Sequence, residues 1–348
     1  MKNLEVRKLT PEQTLRVPES LSFAVTFTAL DTWSRLVEQT YSHNIYRFEA
    51  IEDDKVTGIL VLTEVRHPVF GHYLATAPFG SYGGFAYSSL SARDGLLDAA
   101  SALAQAQGAE HVNVRFEARE SESPLEEWLQ HPIYFTYRVD LSSDLDQLLR
   151  SFGPDHRNHI RKSLKKGFSI RFGHLDLLDA AYEGLARSMH ELGSPYHNKE
   201  HLRRMAEYLG DDLKFVVVND SRGELAGAGV FISQGNVVTN LHANILRKFR
   251  SDYAGEFLYW SIIEHYATGN YQLLDLGRSL TGSGNEIFKM KWQPRRVPLA
   301  YWYYLPKGGP VPELNQKSPK FQLAIWAWKR LPAFVVRALG PKMIRGIV

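Results

Sequence analysis

"LKFVVVNDSRGELAGAGVFIS", residues 213–233, is two apolar runs joined by Asp220-Ser221-Arg222-Gly223. Runs rich in Val, Phe and Ile on either side of an Asp/Ser/Gly turn read as a β-hairpin. A second such stretch, "IYRFEAIEDDKVTGILVLTEV", lies at 45–65, with its turn at Asp53-Asp54-Lys55 and Gly58 opening the run Ile59–Leu62. The surroundings repeat too. "DTWSRLVEQTYS" (31–42) suits a helix with Asp31 as N-cap and Trp33, Leu36, Val37 and Thr40 on one side, and "LDLLDAAYEGLARSMHEL" (175–192) is a helix in the matching place. After each hairpin come a strand ("HYLATAPFGSYGGFAY"; "NVVTNLHANI"), a helix ending in glycine ("SARDGLLDAASALAQAQG"; "GEFLYWSIIEHYATG") and another strand ("AEHVNVRFEA"; "YQLLDLG"). Matching landmarks are 50 residues apart in the first half (Gly58 to Gly108) and 42 in the second (Gly227 to Gly269). A period near 160 residues is too long for a solenoid and points to a duplicated domain.

Length and composition agree. A chain of 348 residues exceeds the usual single core, and 44% hydrophobic with 23% charged residues is ordinary for a globular protein. There is no cysteine, which excludes disulfides, zinc–thiolate sites and thiol nucleophiles. The polar start "MKNLEVRKLTPEQ" lacks an apolar core, so no signal peptide is expected, and no apolar run reaches the roughly 18 residues that span a bilayer. The net charge of +3 is unevenly spread: seven Lys/Arg and no acid follow Asn315, leaving 34 basic against 38 acidic residues elsewhere. A near-neutral body with a basic tail is not a strongly basic nucleic-acid binder.

The chain has no Walker A motif, no G-x-G-x-x-G after a strand, no H-E-x-x-H and no G-x-S-x-G. His197 and His201 are four apart, but no third ligand is indicated and a surface helix pair is the better reading. Three stretches could carry chemistry. In "SFGPDHRNHIRKSLKKGFSIRF" (151–172) a helix starts near Asp155 and ends at Gly167, with Arg157, Arg161 and Lys165 on one face, Lys162 and Lys166 flanking, and Ile160 and Leu164 turned inward. Such like-charge crowding suits an anion, phosphates above all, or is simply a solvated linker helix. In "LLDLGRSLTGSGNEIFKMKWQ" (273–293) the segment "IFKMKW" alternates like a strand. Lys289 and Lys291 then share a face, and Lys289 lies nearest the Gly/Ser loop. A lysine there either stabilises the oxyanion formed when an amine attacks a thioester or ester, or guards an edge strand. The third stretch, "APFGSYGGFAY" with Tyr82, Gly83 and Gly84, lets backbone amides approach a ligand or is an ordinary tight turn; "HELGSPYHNKEH" (190–201) is a similar polar loop broken at Pro195 and Tyr196.

Taken together these residues resemble a known group. "RNHIRKSLKKG" is similar to the R-x-x-I-R-K-x-x-K-x-G segment of FemAB-like proteins, and "YQLLDLGRS…SGNEIFKMKW" to their D-F-G strand, polar loop and F-K-x-x-[FW] element. "PFGSYGG", "ELGSP" and the tail "NQKSPKFQLAIWAWKRLPAFVVRALGP" resemble the branch associated with exopolysaccharide and PEP-CTERM/exosortase systems. The resemblance spans about residues 20–345. It implies an α/β (α+β) fold of two tandem GNAT-like domains, each a mainly antiparallel sheet flanked by helices. The first would cover 1–140, completed by 306–348; the second, 141–305, would open with the basic helix 155–167.

The resemblance also implies acyl or aminoacyl transfer to an amine of a cell-envelope or exopolysaccharide precursor, with no metal and no tightly bound cofactor. The donor would be acyl-CoA or aminoacyl-tRNA. Lys289 matches the lysine thought to stabilise the transition state in the bridge-forming enzymes. Asp275 is either the general base or a structural acid paired with Arg278 or Lys289. Arg157, Arg161, Lys165, Tyr82, Gly83, Gly84, Pro195, Tyr196, Arg278 and Ser279 are the expected acceptor-binding residues. The chain departs from the pattern in lacking the long coiled-coil insertion some bridge enzymes use for tRNA. Before the helix at 255–268, "RKFRSDYAGE" keeps only Arg250, Ala254 and Gly255 of the [QR]-x-x-G-x-[GA] loop that cradles a CoA pyrophosphate. With Tyr253 these are the candidate donor-binding residues, and the donor stays open. The segment 321–348, with Trp326, Trp328 and Phe334 among its basic residues, either lies on an anionic membrane or packs onto the first lobe. The expected location is cytoplasmic, at the inner face of the membrane if that segment binds lipid. The alternative is a degenerate, non-catalytic pair that binds a polysaccharide precursor or a membrane partner.

Overall fold

The structure, a computed structural model, describes residues 4–21, 24–119, 123–131, 134–312 and 319–348. Lys317 therefore lies outside the described residues, and of Pro319–Phe321 only the backbone is described. In chain order the elements begin with β1 (Leu4–Lys8), α1 (Asp31–Tyr41), β2 (Asn44–Glu52), β3 (Lys55–His67), β4 (Gly71–Ala75), β5 (Phe85–Tyr87), α2 (Leu90–Gln107), β6 (His111–Glu117) and β7 (Trp128–Gln130). Then follow β8 (Tyr134–Asp140), α3 (Leu145–Ser151), α4 (Pro154–Leu164), β9 (Ser169–Gly173), α5 (Leu178–Leu192), α6 (Lys199–Leu209), β10 (Leu213–Asn219), β11 (Leu225–Gln234) and β12 (Val237–Ile245). The chain ends with α7 (Ala254–Thr268), β13 (Leu273–Leu280), α8 (Gly284–Met290), β14 (Arg295–Tyr304), α9 (Pro319–Trp328) and α10 (Ala333–Ile344).

The chain divides into two compact units: 1–134, 297–313 and 345–348 form unit 1, and 135–296 with 314–344 form unit 2. Each is a mainly antiparallel sheet flanked by helices, with the same order of parts. In unit 1, β1, β2, β3 and β4 pair antiparallel in sequence, and β6 joins β4 in parallel. In unit 2, β9, β10, β11 and β12 do the same, and β13 joins β12 in parallel. The hairpin turns explain the register. Asp53 and Asp54 both take positive φ (48° and 61°), the left-handed pair that a tight hairpin needs and that aspartate tolerates. In unit 2 the turn is held by Asp220, whose carboxylate accepts from the N–H groups of Arg222 and Glu224.

Each core lies between sheet and helices. In unit 1, α2 lays Ala92, Leu96, Leu97, Ala100 and Leu103 on Leu60, Leu62, Leu74 and Val112. Gly58 is needed there, since a Cβ would sit 2.8 Å from Leu96. In unit 2, α7 buries Leu258, Ile262 and Ile263 with Val216, Phe231, Leu274 and Trp292. Gly184 lets α5 approach β11, where a Cβ would meet Ala228 at 2.8 Å.

Four expectations are corrected. "IFKMKW" is not a strand: Gly284–Met290 is α8, because Ser283 caps it by accepting from the N–H of Glu286. Ser-x-x-Glu is a helix-start signature, and it overrides the alternation that follows. Asp31 is not the N-cap but the first helical residue, and its carboxylate pairs with Arg47 at 2.8 Å. Leu164 is exposed, while Ile160 is buried. The C-terminal segment completes the first domain only in part: its helices α9 and α10 group with unit 2, where Arg337 pairs with Glu183 of α5 at 2.6 Å and Gly340 lies against the Tyr196 backbone. The last residues belong with unit 1, where the Tyr73 hydroxyl donates to the Gly346 carbonyl at 2.9 Å.

His197 and His201 are not a surface pair. Both are buried in unit 2, with rings stacked at 4.1 Å, and His242 of β12 lies 5.9 Å from His197. Burial holds all three neutral: His201 is pushed down to about 3, His242 to about 4, and His197 well below its ordinary value. The unfolded chain takes up protons below about pH 6.5 that this cluster refuses. Stability is therefore fully present above about pH 6.5 and is lost as pH falls toward 4. Urea titrations between pH 7 and 4.5 should show a falling midpoint, and His242→Gln should lower the slope by about 1.4 kcal/mol per pH unit. A midpoint flat across that range would refute the buried cluster.

Candidate active site

β12 and β13 pair in parallel over only three positions, Val237↔Leu273, Val238↔Leu274 and Thr239↔Asp275. Past that point side chains take up backbone groups of β13. Asp275 Oδ1 accepts from the Gly277 N–H at 2.7 Å and from the Thr136 hydroxyl of β8. Lys289 Nζ, projecting from α8, donates to the Gly277 carbonyl at 2.8 Å and to the Arg278 carbonyl at 2.9 Å. Two of its three N–H groups are thus used. The ammonium lies 5.6 Å from the Tyr137 ring centre. Lys289 is only 8% exposed, and burial pushes it down to about 8, with Asp275 opposing that shift and Arg278 adding to it. It remains mostly protonated at neutral pH. Asp275, at 1% exposure, lies among donors, with Arg138 Nε 3.5 Å from Oδ2.

A second carboxylate locks α8 in place. Glu286 accepts from the Tyr137 hydroxyl at 2.6 Å and the Gly282 N–H at 2.6 Å, and Arg296 lies at 3.3 Å. These donors, the Tyr137 hydroxyl first, hold its carboxyl below the usual range. Tyr137 itself is pushed up to about 12, chiefly by burial. Thr136, Tyr137, Arg138 and Glu286 were missed from sequence. Ser283-x-x-Glu286 was a legible signal for Glu286, while the β8 residues carry none.

The structure brings Asp275, Gly277, Arg278 and Lys289 together. Arg278 is exposed; Ser279 is buried with its Oγ lacking a hydrogen-bond partner. Other expected residues have other work. Arg157 turns back to the Arg150 and Phe152 carbonyls at 2.9 and 2.6 Å, closing the end of α3. Arg161 and Lys165 are exposed on α4. Lys162 and Lys166 instead reach the turn before α7, Lys162 at 5.9 Å from the Tyr253 ring and Lys166 at 2.7 Å from Asp252. Tyr82, Gly83 and Gly84 in unit 1 spend their backbone internally. The Tyr82 carbonyl accepts from Thr26 and Thr28, and the Gly83 N–H donates to Arg115 at 2.8 Å. Gly84 gives its carbonyl to Val61. A Cβ at Gly83 would lie 2.1 Å from Thr26 Oγ1, at φ +115°, so this loop is a packed turn. Pro195 and Tyr196 link α5 to α6, and Tyr196 helps line a small pocket with Tyr182, Arg187, His190, Val336 and Arg337.

The residues before α7 keep the backbone shape of a glycine-bearing turn despite their letters. Tyr253 stands where the pattern has glycine, yet it takes the left-handed conformation (φ 61°) a glycine would supply. Its ring stacks on His159 at 4.6 Å. No side chain caps α7 at this end, so its first N–H groups keep the anion-binding character of a helix start. Arg250 turns its Nε to the Ile245 carbonyl at 3.2 Å, Ala254 is buried, and Gly255 faces the Phe288 ring.

Residues 154–290 match the family model described as an acetyltransferase (GNAT) domain. The chain is similar in structure to FemX (TM-score 0.64, 14% identity, covering 90% of this chain and 100% of that one). It is similar to a tandem GNAT protein from the clavulanic acid biosynthesis pathway (0.53, 12%, 89% and 100%) and to L-PGS from Bacillus licheniformis (0.51, 12%, 82% and 87%). No curated protein matches by sequence. Residues 154–290 thus match a GNAT acetyltransferase domain built around β10–β13, unit 1 repeats its strand order, and the chain as a whole shares the fold of FemX and of a tandem GNAT protein.

Proposed function

We propose that the chain transfers an acyl group from an acyl-CoA to an amine of a cell-envelope or exopolysaccharide precursor, with Lys289 stabilising the oxyanion. The observation that carries this reading is the buried ammonium of Lys289, fixed by two carbonyls beside the diverging end of β13. The acceptor nitrogen attacks the thioester carbonyl carbon, the carbonyl oxygen becomes an oxyanion, and the third N–H of Lys289 is the donor it would meet. The C–S bond then breaks, and the proton shed by the nitrogen leaves with the thiol. Asp275 acts as a positioning residue, because its Oδ1 is occupied by Thr136 and Gly277. The Ser279 hydroxyl supplies a polar group for the acceptor.

Acyl-CoA is preferred over aminoacyl-tRNA on local grounds. The uncapped start of α7, the left-handed Tyr253 and the nearby Lys162 and Lys166 suit a pyrophosphate. Unit 2 is the catalytic unit in this reading. The corresponding edge in unit 1 is filled by its own chain, where Thr76 donates to Asn113 and Gly83 to Arg115.

A membrane contact through α9 and α10 belongs to the same proposal. Leu323, Trp326 and Phe334 are 65%, 53% and 75% exposed, and no acid follows Asn315. Exposed apolar side chains among cations suit the surface of an anionic bilayer, which the protein would meet from the cytoplasmic side. No helix among the described residues is long and apolar enough to cross a membrane.

Incubation with a panel of acyl-CoAs, charged tRNA and a cell extract, read by mass spectrometry, should give a covalent product with acyl-CoA. No product with any donor would favour the non-catalytic alternative. Lys289→Met, with folding checked by circular dichroism, should lower kcat by about 100- to 1,000-fold. Wild-type kcat should fall as pH rises through about 8, and Asp275→Asn should shift that limb to lower pH by removing the charge that favours the ammonium. Unchanged turnover in Lys289→Met would remove this lysine from the chemistry. The protein should sediment with vesicles containing phosphatidylglycerol and not with neutral ones, and Trp326→Ala with Phe334→Ala should abolish this. Equal recovery from both vesicle types would refute the membrane contact.

A further inference from the structure

In unit 2, α4 packs along α7, and three ligating side chains converge at that contact. His156 and His159 stand one turn apart on α4, and Glu256 lies in the first turn of α7. Their ligating atoms all lie within 4.8 Å of one another; among the described residues this is the group that converges so closely. His156 is 5% exposed, and neither of its ring nitrogens has a hydrogen-bond partner. The perpendicular Trp292 ring at 4.3 Å offers it only the weak contact of an aromatic group. A neutral imidazole carries one donor and one acceptor, and each left unmade costs roughly 1–3 kcal/mol. A native core rarely leaves both unmet.

Glu256 is also buried, and the nearest cation is the Lys291 ammonium at 3.4 Å. That is longer than a good charge-assisted hydrogen bond. Stacking on Tyr253 orients the His159 ring. Burial, reinforced by Lys291, pushes His156 down to about 4, which keeps it in the neutral, ligating form.

We propose that His156, His159 and Glu256 form a site for a late first-row divalent cation, zinc above all. Two imidazoles and a carboxylate are a donor set typical of zinc. Metal–ligand distances of about 2.0–2.2 Å put tetrahedral ligands about 3.4 Å apart, so side-chain rotations of about an ångström close the set. A solvent molecule would complete the shell. The ion gives His156 the partner it lacks and takes over the charge of Glu256, and the partly exposed Lys291 is released to water. The ion would join α4 to the first turn of α7, behind the turn at Asp252–Tyr253. This is a structural role, distinct from the chemistry proposed at Lys289 and not dependent on it.

The test uses untagged, chelator-stripped full-length protein and Zn²⁺ alone, by titration calorimetry and thermal unfolding. One equivalent should bind with a dissociation constant on the order of a micromolar or tighter and raise the unfolding temperature. Co²⁺ in its place should give the visible absorption of a tetrahedral complex. His159→Ala and the near-isosteric Glu256→Gln, both confirmed folded by circular dichroism, should each weaken binding at least about tenfold. Lys291→Met, which removes the competing ammonium, should tighten it. No uptake by the wild type, or equal uptake by wild type, His159→Ala and Glu256→Gln, would overturn the proposal. So would uptake lost only on replacing His242, which would assign the ion to the other histidine cluster.

Discussion

A strand that leaves its parallel neighbour after three residues must find other partners for its backbone, since buried N–H and C=O groups are costly to leave unpaired. Both units meet this constraint where the fourth and fifth strands of the repeat diverge, at Ala75↔Asn113 and at Thr239↔Asp275. Unit 1 answers mostly with backbone, together with the Thr76 hydroxyl, which accepts from the Arg115 N–H at 2.8 Å. The 76–84 loop folds back and gives its N–H groups to β6, which requires glycine at 83 because any Cβ would strike Thr26. Unit 2 answers with side chains, Asp275 for an N–H and Lys289 for two carbonyls. Side chains carry charge to that point, and backbone does not. The two copies of one architecture thereby differ at this point, one closed by a packed loop and the other by the side chains of Asp275 and Lys289.

The burial of Lys289 depends on α8 being a helix. A strand at 286–292 would send Lys289 and Lys291 to the same side. In α8 they part, Lys289 to the carbonyls of β13 and Lys291 toward Glu256. The helix is short, and Ser283 and Glu286 hold it at one end. Trp292, just beyond it, is fully buried against Phe152, His156 and Tyr259. The aromatic cluster and the buried ammonium thus position each other across one short helix.

Unit 2 also keeps an unusual amount of imidazole out of water. His156, His197, His201 and His242 are all held neutral, each chiefly by burial. Neutral imidazole suits a core at the cost of acid tolerance, and at His156 it leaves a ligand pointed at two others.

By itself the sequence determined the duplicated architecture. Hairpin turns at Asp53-Asp54 and Asp220–Gly223 and the glycine closing α2 are local signals, readable because a turn or a helix end is settled by a few adjacent residues. Spacing alone left Lys289 open between an edge strand and a site, and only the resemblance of "IFKMKW" to a family motif singled it out. Ser283-x-x-Glu286 is a local helix-start signal that outweighs the strand-like alternation of "IFKMKW", but only tertiary structure decided that Lys289 reaches the Gly277 and Arg278 carbonyls. It also decided that Arg157 closes α3 while Lys162 and Lys166 reach the turn before α7, because neighbours on one helix face different partners. The tail's assignment to α5 and the convergence of His156, His159 and Glu256 from two helices were likewise beyond local reading. Spacing along a chain reports which residues share an element, and only packing reports what that element is pressed against.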